Sequence, residues 1–264
     1  AQTIITMSTT LLALLLHTAG VFAWGPQDKA TKLPRLWLPT NIPVIAGETR
    51  WPLDAAQQRK LGKVLRLRRG DELRVFDGGV GEWVASFEDD CVVAKHQTRE
   101  PEVKPQLELF FAPIKKKRLA LLTEKAAELD VTRLRPIRTQ RTERASISAL
   151  PAPGVTAAAI AASEQSERCD VPLLDAIVDT NAISTSLPLY VCAARADEAP
   201  HLLDVITGDG AAVLIGPEGG LSDADLAAIS GAVPHAVAVT LGPAVLRAET
   251  AACVALAFAG AALR

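Results

Sequence analysis

Short apolar runs alternate with helix-like runs from Leu107 to the end of the chain. The apolar runs have the length and composition of buried strands, and they read "LELFFAPI", "RLRPIRTQ", "LPLYVCAA", "AAVLIG" and "AVAVTLG". The runs between and after them predict helices, namely "KKKRLALLTEKAAELDV", "VTAAAIAASEQSER", "DADLAAISGAV" and "LRAETAACVALAFAGAAL". Such alternation predicts an α/β fold whose mostly parallel sheet is covered on both faces. Ligands of these sheets bind beyond the carboxyl ends of the strands.

The region from Pro34 to about Arg99 has a different pattern, with short β-prone runs separated by turn signals. The runs "RLWLPT", "ELRVFDGG" and "EWVASFE" predict strands of a small barrel or sandwich. Between them, "AAQQRKLGKVLRLRRGD" predicts a helix that ends in a basic turn. The polar, Pro-containing run "REPEVKP" at 99–105 predicts the boundary between two domains.

Composition places the chain among globular proteins, because 49% of its 264 residues are hydrophobic and 22% are charged. The four cysteines show neither CxxC spacing nor a nearby histidine, so we expect no zinc site, no disulfide framework and ordinary buried thiols in a reducing compartment. Residues 1–33 hold an apolar stretch too short and interrupted for a confident membrane span. A targeting peptide and a disordered extension both remain open there, because a basic n-region is missing.

The apolar run Val213–Ile215 stops at Gly216-Pro217-Glu218-Gly219-Gly220 before a new helix pattern begins. Glycines there permit positive φ and close approach of a ligand to the backbone. A plain turn between strand and helix is the alternative. The loop is neither a GxGxxG fingerprint nor a P-loop, which disfavours those modes of nucleotide phosphate binding.

A second glycine-bearing segment, "LGPAVLRAETA" at 241–251, also leads from a strand into a helix. Arg247 and Glu249 stand at the start of this otherwise apolar helix. Charges in such a position must be paired or serve a site, since isolated burial is costly. A helix cap or a mutual salt bridge is the structural alternative to a functional role.

Basic residues are concentrated locally although the net charge of the chain is −2. The segment from Lys115 to Arg144 contains ten basic and four acidic residues. This density can neutralise phosphates of RNA or DNA, and solvated protein faces are the alternative. The candidate RNA contacts are Lys60, Lys63, Arg66, Arg69, Lys115, Lys116, Arg138, Arg141 and Arg168. Arg168 closes the polar run "SEQSER", which a solvated helix end would also explain.

Together these segments resemble the RsmE-type methyltransferases of small-subunit ribosomal RNA. The resemblance spans about residues 34–264 and depends on "VLIGPEGGLS" followed by "LGPAVLRAETA". It is supported by "EKAAELDV", "SEQSER", "PRLWLP" and "KVLRLRRGD". It implies a PUA-like β-barrel at 34–100, which binds RNA, and a SPOUT methyltransferase domain at 103–264 with a trefoil knot.

The resemblance also implies S-adenosylmethionine as cofactor, a homodimer with the site near its interface, and methylation of a uridine at N3 in small-subunit, 16S-type ribosomal RNA. No metal and no membrane partner are implied. The residues expected to border the cofactor are Leu214, Gly216, Pro217, Gly219, Gly220, Leu241, Gly242, Leu246 and Ala251.

Three charged residues are the candidates for catalysis in this reading. Arg247 is expected to stabilise negative charge that develops on the uracil carbonyls. Glu218 is one candidate acceptor of the imide proton, and Glu249 is the other if it is not held in a salt bridge to Arg247.

Some positions depart from the family's pattern. Lys60 stands where a histidine is usual, Asp130 stands where a glycine ends the first helix, and 144–160 lacks the usual tryptophan. These departures leave two alternatives open: a non-catalytic RNA-binding assembly factor, and a SPOUT enzyme that acts on transfer RNA or a ribose 2′-hydroxyl. The expected compartment is the cytoplasm, or a plastid or mitochondrial matrix if 1–33 is a targeting peptide.

Overall fold

The computed structural model describes residues 32–39, 44–148, 150, 153–192 and 199–263, with Pro153 described by its backbone alone. The N-terminal extension expected at 1–33 lies outside these residues, apart from Lys32 and Leu33. Within the described residues the chain forms two sheets that have separate hydrophobic cores.

The first sheet has five strands in the spatial order β1-β3-β4-β5-β2. The strands are β1 (Arg35–Trp37), β2 (Arg50–Pro52), β3 (Glu72–Phe76), β4 (Glu82–Phe87) and β5 (Cys91–Arg99). β1 pairs with β3 in parallel, and the other pairings are antiparallel. β1 and β2 are the two edges of this order, and the curled sheet is a PUA-like half-barrel, which confirms the PUA-like fold expected for this region.

A short helix covers the first sheet. Helix α1 (Ala55–Gln58) begins at Asp54, whose carboxylate accepts from the backbone of Gln57 in a capping box. The helix continues as a π-helical segment at Arg59–Val64, which buries Leu61 in the core of this sheet. The predicted helix thus ends before the basic turn, and Arg66 then takes a left-handed φ of 59°.

The second sheet is parallel throughout, with the strand order β12-β10-β11-β6-β7-β8 and β9 beside β7. Its strands are β6 (Gln106–Phe111), β7 (Arg133–Arg138), β8 (Leu173–Leu174), β9 (Val178–Asp179), β10 (Leu189–Cys192), β11 (Gly210–Ile215) and β12 (Val237–Val239). This confirms the predicted α/β fold with its mostly parallel sheet. Strand order does not define how a chain threads, so the trefoil knot stays a prediction.

Helices cover both faces of the second sheet, as the alternation predicted. They are α2 (Lys116–Glu128), α3 (Arg144–Ile147), α4 (Pro153–Gln165), α5 (Leu202–Val205), α6 (Asp223–Ala232) and α7 (Ala248–Ala262), with a 3-10 turn at Thr180–Ala182. Leu109 and Val213 face the core formed with α2, α4 and α7. Their neighbours Phe110 and Leu214 face the core formed with α6. Successive strand residues therefore belong to opposite faces, as the pleat requires.

Helix α2 ends at a position that favours glycine and holds Asp130 instead. The N–H of Val131 donates to the Ala126 carbonyl and the N–H of Asp130 to the Ala127 carbonyl, which is a Schellman arrangement. Asp130 accordingly has a left-handed φ of 61°. Its carboxylate lies 2.9 Å from the Lys104 ammonium, a contact that glycine could not make.

Arg35 joins the two sheets. Its Nε lies 2.7 Å from a carboxylate oxygen of Glu82, and its guanidinium stacks on the Phe76 ring at 4.4 Å. Its remaining nitrogens donate to the backbone carbonyls of Ser163, Glu164 and Arg168 at 2.6 to 3.0 Å. Burial lowers the pKa of this guanidinium, and the charge of Glu82 opposes that effect. The polar run "SEQSER" is therefore the joint between the sheets rather than a solvated helix end.

The structure does not support Arg168 as an RNA contact. Only 3% of its side chain is exposed, and it donates to the carbonyls of Ala127 and Val131 and to the Asp170 carboxylate. Burial raises the pKa of Asp170, but the hydrogen bonds and charge of Arg168 outweigh this effect and leave that pKa below its usual range. Arg168 is held inside the protein because its donors have partners there.

The four cysteines are free thiols, of which Cys169 is buried as expected, whereas Cys91, Cys192 and Cys253 are half-buried. Burial raises the pKa of Cys169 and Cys253, and it raises the pKa of Cys192 to about 12. A thiol with a raised pKa is a poor nucleophile at neutral pH. Across the described ranges, no helix has the length and apolar character to cross a membrane. In the same residues, no three His, Cys, Asp or Glu side chains gather as metal ligands.

Replacing Arg35 by alanine should lower the free energy of unfolding by about 3 kcal/mol, because Glu82 loses a buried partner and three carbonyls lose their donor. Urea denaturation followed by circular dichroism measures the change. Arg69→Ala is the matched control, since its ion pair with Glu88 lies on the surface, and it should change stability far less. Equal effects of the two substitutions would contradict the assignment of Arg35 as the joint.

Candidate cofactor and RNA site

The ends of the parallel strands lie level with one another. Cys192 of β10 pairs with Ile215 of β11 on one side and with Val239 of β12 on the other. Ile215 in turn pairs with Phe111 of β6. The loops that follow these strands therefore leave the sheet at the same edge, which is where ligands of such sheets bind.

The loop after β11, residues Gly216–Gly220, is named here the glycine loop. The N–H of Gly220 donates to the Pro217 carbonyl at 2.8 Å, and Gly220 has a φ of +73°. A Cβ on Gly216 would lie 3.1 Å from the side chain of Leu221. The loop thus requires glycine for its turn and for its packing. It passes into α6 through Ser222, which forms a capping box with Asp225.

Arg141 lies on the glycine loop. Its Nη1 donates to the Gly219 carbonyl at 2.6 Å, and a Cβ on Gly219 would lie 3.3 Å from Cδ of Arg141. The neighbouring Gln140 donates its backbone N–H to Asp225 at 3.1 Å. Arg141, expected to contact RNA, is therefore placed against the expected cofactor loop.

The segment after β12 also turns on a glycine. Gly242 has a φ of +121°, and its N–H donates to the Thr240 hydroxyl at 3.2 Å. No atom lies within 4 Å of a Cβ built on Gly242, so its surroundings are open. Leu241 and Ala251 pack against the core cluster that contains Ile215. The second expected cofactor segment thus packs against the core that includes the last residue of β11.

The other expected cofactor residues differ in what they can present to a ligand. Leu214 is fully buried, and its side chain belongs to the core with α6, so only its backbone can face the edge of the sheet. Pro217 is buried and Leu246 is half-buried. The apolar character of the site comes mainly from these residues and from Ala251.

A cluster of three charged side chains links the glycine loop to the last helix. Arg118, on α2, lies 2.9 Å from Glu218 and 3.6 Å from Glu249. Glu249 is only 9% exposed, and its Oε2 is buried without a hydrogen-bond partner in the described part of the chain. Since these three groups come from three separate segments, their spacing follows from the fold and not from a local motif.

Arg247 and Glu249 do not pair with each other. Arg247 is exposed at the N-cap of α7 and takes part in no ion pair within the described residues. The cation beside Glu249 is Arg118 instead. Glu249 therefore stays a candidate proton acceptor, because it forms no salt bridge to Arg247. Sequence reasoning did not single out Arg118, and the one signal for it was its position in the basic run from Lys115.

Four of the remaining basic candidates are exposed. Lys115 and Lys116 lie where β6 passes into α2, at the edge of the sheet that carries the glycine loop. Lys63 and Arg66 lie in the half-barrel region. Three further candidates have carboxylate partners: Lys60 with Glu164, Arg69 with Glu88 and Arg138 with Asp179.

Two family models match the chain in the order of its two sheets. A model described as an RNA methyltransferase PUA domain matches residues 53–90. A model described as an RNA methyltransferase domain matches residues 101–260, which is more than half of the chain.

Individual proteins agree with this match. Ribosomal RNA small subunit methyltransferase E of Rickettsia conorii is 31% identical over 74% of this chain and 82% of its own length. The enzyme of that name from Neisseria gonorrhoeae, solved with S-adenosyl methionine, has a TM-score of 0.71, 26% identity and coverage of 85% of this chain and 95% of its own. A methyltransferase structure from Legionella pneumophila with bound cofactor SAM has a TM-score of 0.74, 27% identity and coverage of 88% and 98%. The chain therefore belongs to the RNA methyltransferase family that includes ribosomal RNA small subunit methyltransferase E.

Proposed function

We propose that this protein transfers a methyl group from S-adenosylmethionine to N3 of a uridine in small-subunit ribosomal RNA. The observation that carries the proposal is the cluster of Arg118, Glu218 and Glu249 beside two glycine-bearing segments at one edge of the sheet. Relatives named for methylation of small-subunit ribosomal RNA, one of them solved with S-adenosyl methionine, support it.

The residues present fit this cofactor. The glycine loop and Gly242 expose backbone at the edge of the sheet, and backbone groups can recognise an adenine without charged side chains. Glu218 and Glu249 supply negative charge, which attracts a sulfonium cation. The proposed contacts are Leu214, Gly216, Pro217, Gly219, Gly220, Leu241, Gly242, Leu246 and Ala251.

The chemical demand on the protein is modest because the sulfonium supplies a methyl group that is already activated. The protein must hold the uracil in line with that methyl group and accept the N3 proton. We assign the acceptor role to Glu249, since its buried Oε2 has no hydrogen-bond partner among the residues that the structure describes. When S-adenosylmethionine is bound, its sulfonium would supply the methyl group for N3, and Glu249 would accept the proton that N3 loses. Arg247 stabilises the negative charge on the uracil carbonyls.

The two sheets divide the work in this proposal. The half-barrel region at 34–100 binds RNA, and the region at 103–264 carries the cofactor and catalysis. Lys63, Arg66, Lys115 and Lys116 are the exposed cations available for phosphates, and Lys60, Arg69 and Arg138 can add to them when RNA displaces their carboxylate partners. We also propose a homodimer, as the resemblance implies, working in the compartment that holds the ribosomes.

The direct test offers small-subunit ribosomal RNA, free and in subunits, to the protein with labelled S-adenosylmethionine. Mass mapping of the products should find one methylated uridine, with the methyl group on N3. A methyl group on a ribose, or on transfer RNA instead, would replace the proposal with another methyltransferase activity. An assembly factor without turnover would bind RNA and give no methyl transfer.

Arg247→Ala should lower kcat by about 100-fold or more while the fold is kept, because the side chain is exposed and its charge acts on the substrate. Methyl transfer under saturating RNA and cofactor measures kcat, and thermal unfolding checks the fold. Arg133→Ala is the control, since Arg133 pairs with Asp175 at the start of β7, away from the carboxyl ends of the strands where the site lies. Near-normal methylation by the Arg247 variant would refute its role.

Arg141→Ala should raise the Kd for S-adenosylmethionine by about five- to tenfold, because the Gly219 carbonyl loses its charged donor and the glycine loop loosens. Isothermal titration without RNA measures this constant. Arg138→Ala is the matched control, since Arg138 ends β7 three residues before Arg141 and its partner Asp179 lies outside the glycine loop. An unchanged Kd in the Arg141 variant, with weaker RNA binding, would return Arg141 to the RNA contacts.

A further inference from the structure

Arg118 contacts both carboxylates of the site and belongs to neither of the segments that carry them. It lies on the first turn of α2, next to the end of β6. Its Nη1 faces Glu218 of the glycine loop at 2.9 Å, and its Nε faces Glu249 of α7 at 3.6 Å. Different nitrogens of one guanidinium thus engage two segments.

The two contacts constrain the carboxylates in different ways. The side chain of Glu218 is 43% exposed, so solvent screens its ion pair with Arg118. That ion pair alone therefore contributes little to stability. Glu249 is 12% exposed on its side chain and lies in the first turn of a helix, where the helix dipole favours a negative charge. No other cation of the described residues lies within 4.0 Å of it.

This geometry orients Glu249. Nε of Arg118 lies 3.6 Å from Oε1, an ion-pair distance longer than a hydrogen bond, and within the described residues Oε2 has no hydrogen-bond partner. A carboxylate drawn by a cation on the side of one oxygen presents the other oxygen away from that cation, which suits a group that accepts a proton from a bound substrate. Glu218 holds Arg118 from the other side, so the glycine loop takes part in that orientation.

We propose that Arg118 is a positioning residue of the methyl transfer, which acts by holding Glu249 through its fork while Glu218 fixes the guanidinium. The inference rests on the proposed function, because it assigns a role within that reaction. It separates Arg118 from its neighbours Lys115, Lys116 and Lys117, which are exposed and project from the same turn without an ion pair in the described residues.

The split between turnover and cofactor affinity tests this role. Arg118→Ala should lower kcat by about 10- to 100-fold, because Glu249 loses its orientation. The Kd for S-adenosylmethionine should change less than about threefold, since the Arg141 contact still holds the glycine loop. Arg118→Lys should recover part of kcat, because one ammonium keeps the charge but lacks the fork. A wild-type kcat in either variant would overturn the proposal.

A double-mutant cycle tests whether Glu218 acts through Arg118. Glu218→Gln should lower kcat in the wild-type background and have little further effect in Arg118→Ala. Additive effects would show that Glu218 acts independently, contrary to the proposal. Arg133→Ala is the control for loss of an arginine ion pair, and it should leave kcat unchanged.

Two failures are distinguishable. If the wild-type protein methylates no uridine at N3 in ribosomal RNA, the proposed function fails and the role of Arg118 fails with it. If the wild type methylates and Arg118→Ala keeps its kcat, only the positioning role fails. Should Arg118→Ala not fold, Arg118→Lys decides, because it preserves the charge beside Glu249, and a kcat equal to wild type contradicts the role.

Discussion

The register of the parallel strands determines where every part of the candidate site lies. Cys192, Ile215 and Phe111 are neighbours at the carboxyl ends of β10, β11 and β6, so the loops that follow must leave the sheet together. Those strands are held by burial on both faces, where Leu109 and Phe110 pack into opposite cores. A shift of one residue in any strand would exchange these faces, and the register is therefore strongly specified. The rigid strands let short loops hold charged groups at fixed distances.

A second constraint sets the half-barrel against this sheet. Arg35 is buried together with Glu82, and its other donors are taken by carbonyls at the end of α4. Removing either partner of a buried ion pair would leave the other charge uncompensated, so both side chains must keep this geometry. The polar run "SEQSER" therefore lies in the contact between the half-barrel and the parallel sheet. Basic residues of the half-barrel and those at the start of α2 thereby acquire fixed relative positions on one molecule.

The sequence was sufficient for the alternating strands and helices, since apolar periodicity reports burial directly. It also located the two glycine-bearing segments. It did not predict the environment of Arg168, because an arginine in a polar run has the same sequence pattern whether it binds RNA or donates to buried carbonyls. β5 also escaped prediction, because residues 91–99 become polar where the strand is exposed. The pairing of Arg118 with Glu218 joins residues 100 positions apart, which only the strand order brings together.

The basic run at the start of α2 shows how one pattern can serve two ends. Lys115 and Lys116 are exposed, whereas Arg118 lies over the two carboxylates. A lysine presents a single point charge on a flexible stem, which suits a phosphate that can bind in several geometries. The planar guanidinium of arginine suits two fixed carboxylates. The difference between these residues is therefore geometric as well as electrostatic. The density of basic residues along a sequence indicates a surface that can bind a polyanion. Only the fold shows which of those cations contacts the carboxylates of the site instead of solvent.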